Sequence, residues 1–207
     1  EVNVAGTLKL LMNLSETSLR IIFLSTDYVF DGVQGNFDDN HPTNPSTNYG
    51  KHKETIERAI TELTDNFLVI RLSKIYGLRK GDNTILDEAA SLLHNNAQVF
   101  GASDQYFCPT YIGDIVQAII DVQEENLAGI INICSPEIWS RFEMYTKLAQ
   151  LMDKDKSLVK EINLYDWPEM RGRPLNTSMV CSRLHQETRT KFVGLEESID
   201  KVARNYL

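Results

Sequence analysis

The stretch "IIFLSTDYVFDG", residues 21–32, joins an apolar run to an abruptly polar end. Ile21, Ile22, Phe23 and Leu24 read as a buried strand, because a short continuous apolar run suits a strand covered on both faces. The run stops on two hydroxyls, Ser25 and Thr26, followed by Asp27 and Tyr28. Residues 31–47, "DGVQGNFDDNHPTNPST", are rich in Gly, Asn, Asp and Pro and predict a long surface loop. Loops of that length often carry function. A helix is expected from about Tyr49 to Leu63, capped by Ser46 or Thr47 after Pro45.

Working outward, Val4, Leu8, Leu11 and Met12 fall at helical spacing in "VNVAGTLKLLMNLSE". "FLVIRLSKIYG" (67–77) reads as a second buried strand and "GIINIC" (129–134) as a third. Residues 84–95 predict a helix, and "AQVFG" and "YFCPTYI" two short strands. "GDIVQAIIDVQ" (113–123), "SRFEMYTKLAQLM" (140–152) and the terminal "LEESIDKVARNYL" read as helices, the first and last of them amphipathic. Apolar strands alternating with helices predict an α/β fold with a mainly parallel sheet.

The chain has 207 residues, 42% of them hydrophobic, enough for one sizeable core and a small second lobe. A net charge of -8 argues against nonspecific binding to nucleic acid or to an anionic membrane, whose phosphates it repels. A local basic pocket for a small phosphorylated ligand stays open. No apolar run approaches the ~20 residues that span a bilayer, and no signal peptide opens the chain. Cys108, Cys134 and Cys181 are far apart without a CxxC pair and read as buried thiols of a reducing, cytoplasmic protein. His41, His52, His94 and His185 form no metal-ligand pattern, so no metal site is expected.

"NYGKHK" (48–53) carries the chemistry. Tyr49 and Lys53 are four apart at the start of a helix, a spacing that puts both on one face. A free tyrosine, with a pKa near ~10, exchanges protons poorly at neutral pH. A lysine cation beside it favours the phenolate, making the pair a workable general acid/base unit. Alone, this spacing is also that of a solvated lysine near a half-buried tyrosine.

In combination, the stretches resemble the extended short-chain dehydrogenase/reductases, and within them the dTDP-4-dehydrorhamnose reductases. Matching segments are "NVAGTLKLL" (3–11), "STDYVFDG" (25–32), "PSTNYGKHKETIE" (45–57), "VIRLSKIYG" (69–77), "DQYFCPTYIGDIVQAI" (104–119) and "RPLNTSMVCSRL" (173–184). The resemblance implies a Rossmann-like parallel sheet with a small C-terminal substrate-binding lobe. Residues 1–135 would hold the catalytic part, with substrate-binding segments interleaved at about 77–112, and residues 136–207 mostly the lobe and the last helix. It implies NADPH- or NADH-dependent reduction of a 4-keto nucleotide sugar, with Thr26 on the substrate carbonyl, Tyr49 as proton donor, and Lys53 on the nicotinamide ribose. Arg71 and Ser73 would lie along the cofactor. Asp27, Tyr28, Tyr76, Gln105, Pro109, Thr110, Arg173 and Asn176 would lie along the substrate. For several of these a plainer role competes. Ser25 suits a strand-end hydrogen bond, Arg71 a structural ion pair, and Gln105 and Asn176 loop capping. Lys74 stands where the family often has an aromatic residue, which leaves the sugar open.

No G-x-G-x-x-G or G-x-x-G-x-x-G turn occurs, although this fold holds a dinucleotide pyrophosphate on such a turn. The chain therefore reads as the C-terminal part of a longer reductase. It is expected to bind nicotinamide cofactor weakly by itself and to be marginally stable. Two other readings stand beside the reductase: an epimerase or dehydratase of the same family, and a noncatalytic regulatory subunit. Dehydratases commonly carry Thr-Asp-Glu at this strand end, where Tyr28 follows Asp27 here. The partner expected is a nucleotide sugar, with a homodimer left open.

Overall fold

The computed structural model describes residues 2–15 and 17–207. In chain order its helices and strands are α1 (Val2–Ser15), β1 (Ile21–Thr26), α2 (Asn48–Leu63), β2 (Phe67–Leu72), β3 (Ile75–Tyr76), α3 (Ile85–His94), β4 (Val99–Ala102), β5 (Tyr106–Phe107), β6 (Thr110–Tyr111), α4 (Ile112–Glu124), β7 (Gly129–Ile133), β8 (Trp139–Ser140), α5 (Arg141–Leu151), β9 (Val159–Ile162), α6 (Ser182–Glu187) and α7 (Leu195–Arg204).

β1, β2 and β7 form a parallel sheet in that order, with Leu24 opposite Ile70 and Ile70 opposite Ile131. One face packs Val69 and Ile21 on Leu11 of α1 and on Ile56 and Ile60 of α2. The other packs Leu68, Ile70, Ile131 and Ile133 on Ile115 and Val122 of α4 and Leu184 of α6. Parallel strands covered by helices on both faces are the arrangement the apolar runs anticipated. A second core collects α3, α5 and α7 around Leu86, Leu93, Met144, Leu148 and Ile199. β4 and β9 pair in parallel beside it, and β5 pairs antiparallel with β8. Among the described residues no helix is long and apolar enough to cross a membrane.

The structure differs from the sequence reading in three places. The strand expected over 67–77 is two: β2 stays in the sheet, while β3 pairs with β6. Ser73 and Lys74 make the crossing, the Ser73 hydroxyl turning to Asp27 and the Lys74 carbonyl accepting from Thr110 N. "YFCPTYI" splits likewise into β5 and β6. β9 and α6 had no signal: one is four residues with two charges, the other a six-residue helix, both too short for periodicity to register.

Two glycines fix the motif segments. Gly32 has φ +73°, and a Cβ there would stand 2.1 Å from Pro174 Cβ, so the loop after "STDYVFD" can lie on the late segment only without a side chain. A Cβ on Gly50 would stand 2.0 Å from the Tyr28 carbonyl oxygen. This close approach sets the first turn of α2, capped by Thr47 accepting from Gly50 N, directly against the end of β1. On the outer side β1 has no described neighbour, and Ile22 and Leu24 on one of its faces are 39% and 46% exposed.

Candidate active site

A cavity of about 240 Å³ opens where β1 and β2 end. Its wall includes Thr26, Asp27, Tyr28, Tyr49, Ser73 and Gln105. On its far side stand Lys74, Arg141 and Arg173, so an acidic chain gathers three cations around one hollow. A parallel sheet presents ligand sites at the carboxyl ends of its strands, and the polar stop of β1 is such an end.

Thr26 caps a short 3-10 turn, its Oγ1 accepting from Tyr28 N at 3.3 Å and donating to Asp27 Oδ1 at 3.1 Å. Its single proton thus lies on Asp27, and donation to a ligand requires the hydroxyl to rotate away. The ring of Tyr28 meets Tyr49 edge-on, with centroids 6.2 Å apart. Burial, reinforced by the Asp27 charge, pushes the Tyr28 phenol up from its ordinary pKa.

Tyr49 also lines a second hollow of about 350 Å³, with Phe23, His52, Lys53 and Ile56. Lys53 Nζ donates to the Leu24 carbonyl at 2.7 Å and lies 4.7 Å from the Phe23 ring centroid. Partial burial lowers the Lys53 pKa, against the opposing pull of Glu57. The phenol therefore stands at the junction of a cationic cavity holding Thr26 and a hollow holding the lysine.

Asp27 ties the site together. It accepts from Thr177 Oγ1 at 2.7 Å and from Ser73 Oγ at 3.3 Å, as well as from Thr26. One carboxyl thereby joins the ends of β1 and β2 to the late loop. Burial raises its pKa from 3.8 to about 6, outweighing the three hydroxyl donors and the nearby Lys74. A raised carboxyl pKa stabilises the fold below the unfolded value and loses that contribution as the pH climbs through the folded one. The rise from 3.8 to about 6 corresponds to on the order of 3 kcal/mol. In urea titrations the stability gap between wild type and Asp27→Asn should therefore move in favour of the wild type as the pH falls from 7 toward 4. A gap that does not change with pH would remove this assignment.

Gln105 lies in the wall and donates to the Pro174 carbonyl at 3.3 Å. Five expected residues are brought neither to the cavity nor to the hollow beside it. Arg71 is buried in an ion pair with Glu57 at 2.8 Å and donates to the Asp39 carbonyl, the structural pairing named as its plainer role. Tyr76 is a core residue whose hydroxyl donates to Ser198 Oγ at 2.9 Å. Thr110 is fully buried, donating to the Cys108 carbonyl and accepting from Ser135 N. Asn176 holds its own loop, donating to the Gln34 carbonyl and accepting from Ser178. Pro109, beside Thr110, is likewise absent from the cavity wall. Ser25 departs from its reading too: its hydroxyl is buried and makes no hydrogen bond.

Lys74, Ile75, Phe107, Arg141 and Thr177 line the cavity without having been anticipated as site residues. Arg141 lies in a segment with no motif of its own, while Thr177 follows Asn176 in the quoted segment 173–184 without having been singled out. Gln105, Arg141 and Arg173 also border an adjoining slot walled by Phe100, Trp167 and Met170. The Phe100 and Trp167 ring centroids there are 5.6 Å apart.

The family model described as RmlD substrate binding domain matches residues 1–207. The chain is 28% identical over 202 residues to the dTDP-4-dehydrorhamnose reductase of Aggregatibacter actinomycetemcomitans, covering 89% of this chain and 66% of that one. It is 27% identical over 212 residues to methionine adenosyltransferase 2 subunit beta of Xenopus tropicalis, covering 96% and 62%. It thus spans somewhat less than two thirds of the length of these curated relatives. The Bacillus anthracis dTDP-4-dehydrorhamnose reductase in complex with NADP superposes with a TM-score of 0.85 at 22% identity, over 97% of this chain and 70% of that one. That likeness establishes an α/β fold with a parallel sheet, as in that reductase.

Proposed function

Because the chain belongs to the RmlD substrate binding domain family, we propose that it supplies the acid/base and sugar-binding part of a reductase acting on a 4-keto nucleotide sugar with NADPH or NADH. The observation that carries this reading is Tyr49, set between the cationic cavity with Thr26 and the hollow with Lys53. The keto sugar would lie in the cavity, its carbonyl oxygen toward Thr26 and Tyr49. Arg141 and Arg173 would hold the diphosphate, since guanidinium groups suit phosphate oxygens. The base would enter the slot beside Phe100 and Trp167. Tyr49 and Lys53 are the residues present that fit the nicotinamide end of the cofactor. A bound reduced nicotinamide supplies the hydride. Tyr49 gives its proton to the carbonyl oxygen, and the Lys53 cation favours the phenolate that remains.

The test of the binding half is calorimetric titration with dTDP. Arg141→Ala and Arg173→Ala should each weaken binding at least about tenfold, in keeping with hydrogen bonds to charged groups. No binding at millimolar dTDP, or binding unchanged in both variants, would sink the reading. A second reading is a noncatalytic subunit, favoured by the likeness to a protein named as the beta subunit of an adenosyltransferase. Co-purification with a larger catalytic partner, together with no consumption of reduced nicotinamide, would support it.

A further inference from the structure

The three cysteines, far apart in sequence, meet in the fold. Cys108 lies between β5 and β6, Cys134 directly after β7, and Cys181 directly before α6. All three are free thiols and buried. Cys108 Sγ and Cys134 Sγ donate to the same acceptor, the Met179 carbonyl, at 3.5 and 3.4 Å. Cys181 Sγ lies 3.1 Å from the Cys134 carbonyl oxygen and 3.5 Å from His185 Nε2. The Met179 and Cys134 carbonyls thus gather the three thiols into one cluster. Among the described residues no cluster of His, Cys, Asp and Glu is arranged to hold a metal ion.

The three thiols are chemically unequal. The Cys134 side chain nearby and the charge of His185 hold Cys181 down to about 7, against burial. Cys134 is pushed well up by the neighbouring thiols and by burial, so it keeps its proton. Cys181 has the exposed His185 as its outward neighbour, whereas Cys108 and Cys134 are fully enclosed. A thiolate with a protonated thiol in the same cluster is an arrangement that can convert an oxidised sulfur into a disulfide. None of the three lines the cavity, so they have no part in the chemistry proposed above.

We propose that Cys181 and Cys134 form a peroxide-sensitive thiol pair. The Cys181 thiolate attacks one oxygen of hydrogen peroxide, the O–O bond breaks, and Cys181 sulfenic acid and hydroxide form. The Cys134 sulfur then attacks the sulfenic sulfur, joining S to S. The sulfenic oxygen leaves with the Cys134 proton, as water once protonated. In sum two thiols are oxidised and one peroxide is reduced to two waters. Cys108 is the neighbour that stays reduced. Its backbone N donates to Ser73 Oγ at 3.2 Å, and Ser73 lines the cavity, so the bridge would form one residue behind the site.

The experiment exposes the reduced protein to hydrogen peroxide, blocks remaining thiols with an alkylating agent under denaturing conditions, and maps peptides without reduction. The expected result is a Cys134–Cys181 cross-linked peptide, reversible by dithiothreitol, with Cys108 alkylated. In Cys134→Ser, dimedone should label Cys181 at least about tenfold faster than Cys108. Three alkylatable thiols after peroxide, or a bridge that contains Cys108, would overturn the proposal. Neither readout depends on reductase activity, so this inference and the proposed function fail separately.

Discussion

Replacement of Tyr49 by Phe is expected to lower the rate of keto-sugar reduction by about 10²–10⁴-fold, the usual contribution of a positioned acid/base group. The change removes one oxygen from a ring that is 54% exposed, so the fold should be untouched. The packing that places this residue is carried by Gly50 against Tyr28 and by the Thr47 cap, not by the hydroxyl. Nucleotide affinity should stay within about threefold, because the diphosphate would rest on Arg141 and Arg173. A loss in turnover with retained affinity identifies an interaction made in the transition state. Lys53→Met should fall in the same direction. It also removes the bond to the Leu24 carbonyl, so some loss of stability accompanies it. The measurement is consumption of reduced nicotinamide in the presence of the keto sugar. Unchanged turnover in both variants would end the mechanism.

Glu57→Ala is expected to cost about 3–5 kcal/mol of stability, the usual penalty for leaving one partner of a buried ion pair alone. Both side chains of the Arg71–Glu57 pair are 4% exposed, and Arg71 also lies 5.0 Å from the Phe30 ring centroid. Alanine would leave the guanidinium the Asp39 carbonyl as its hydrogen-bond acceptor among the described residues. The double replacement Glu57→Met with Arg71→Met should recover most of the loss, since an apolar pair of similar volume carries no desolvation penalty. Urea unfolding measures both. A single-variant cost below about 1 kcal/mol would show that the pair is hydrated, contrary to its burial.

The contrast between Tyr49 and Arg71 shows what a sequence can convey. Strands and helices were legible wherever a run was long enough for its period to register, as in β1, β2, β7, α2 and α4. Thr26, Asp27, Tyr28 and Tyr49, expected from the resemblance that their motifs carry, line one cavity. Arg71 stayed open between two roles, since a strand residue's side depends on register and cover, and α2 offers it a carboxylate there. Arg141 escaped for the converse reason: tertiary folding alone delivers it to the cavity. The thiol cluster was invisible for the same cause.

The crossing at Ser73 and Lys74 has a mechanical consequence. It is a seam between two separately packed interiors, one under the sheet and one among α3, α5 and α7. The cavity sits over that seam, with Thr26 and Ser73 on one side and Phe107 and Arg141 on the other. A molecule seated there acts as a clasp. Without it, the two interiors are expected to open as separate units. Filled, they share the binding energy and should unfold together, so occupancy sets how many cooperative units the chain has.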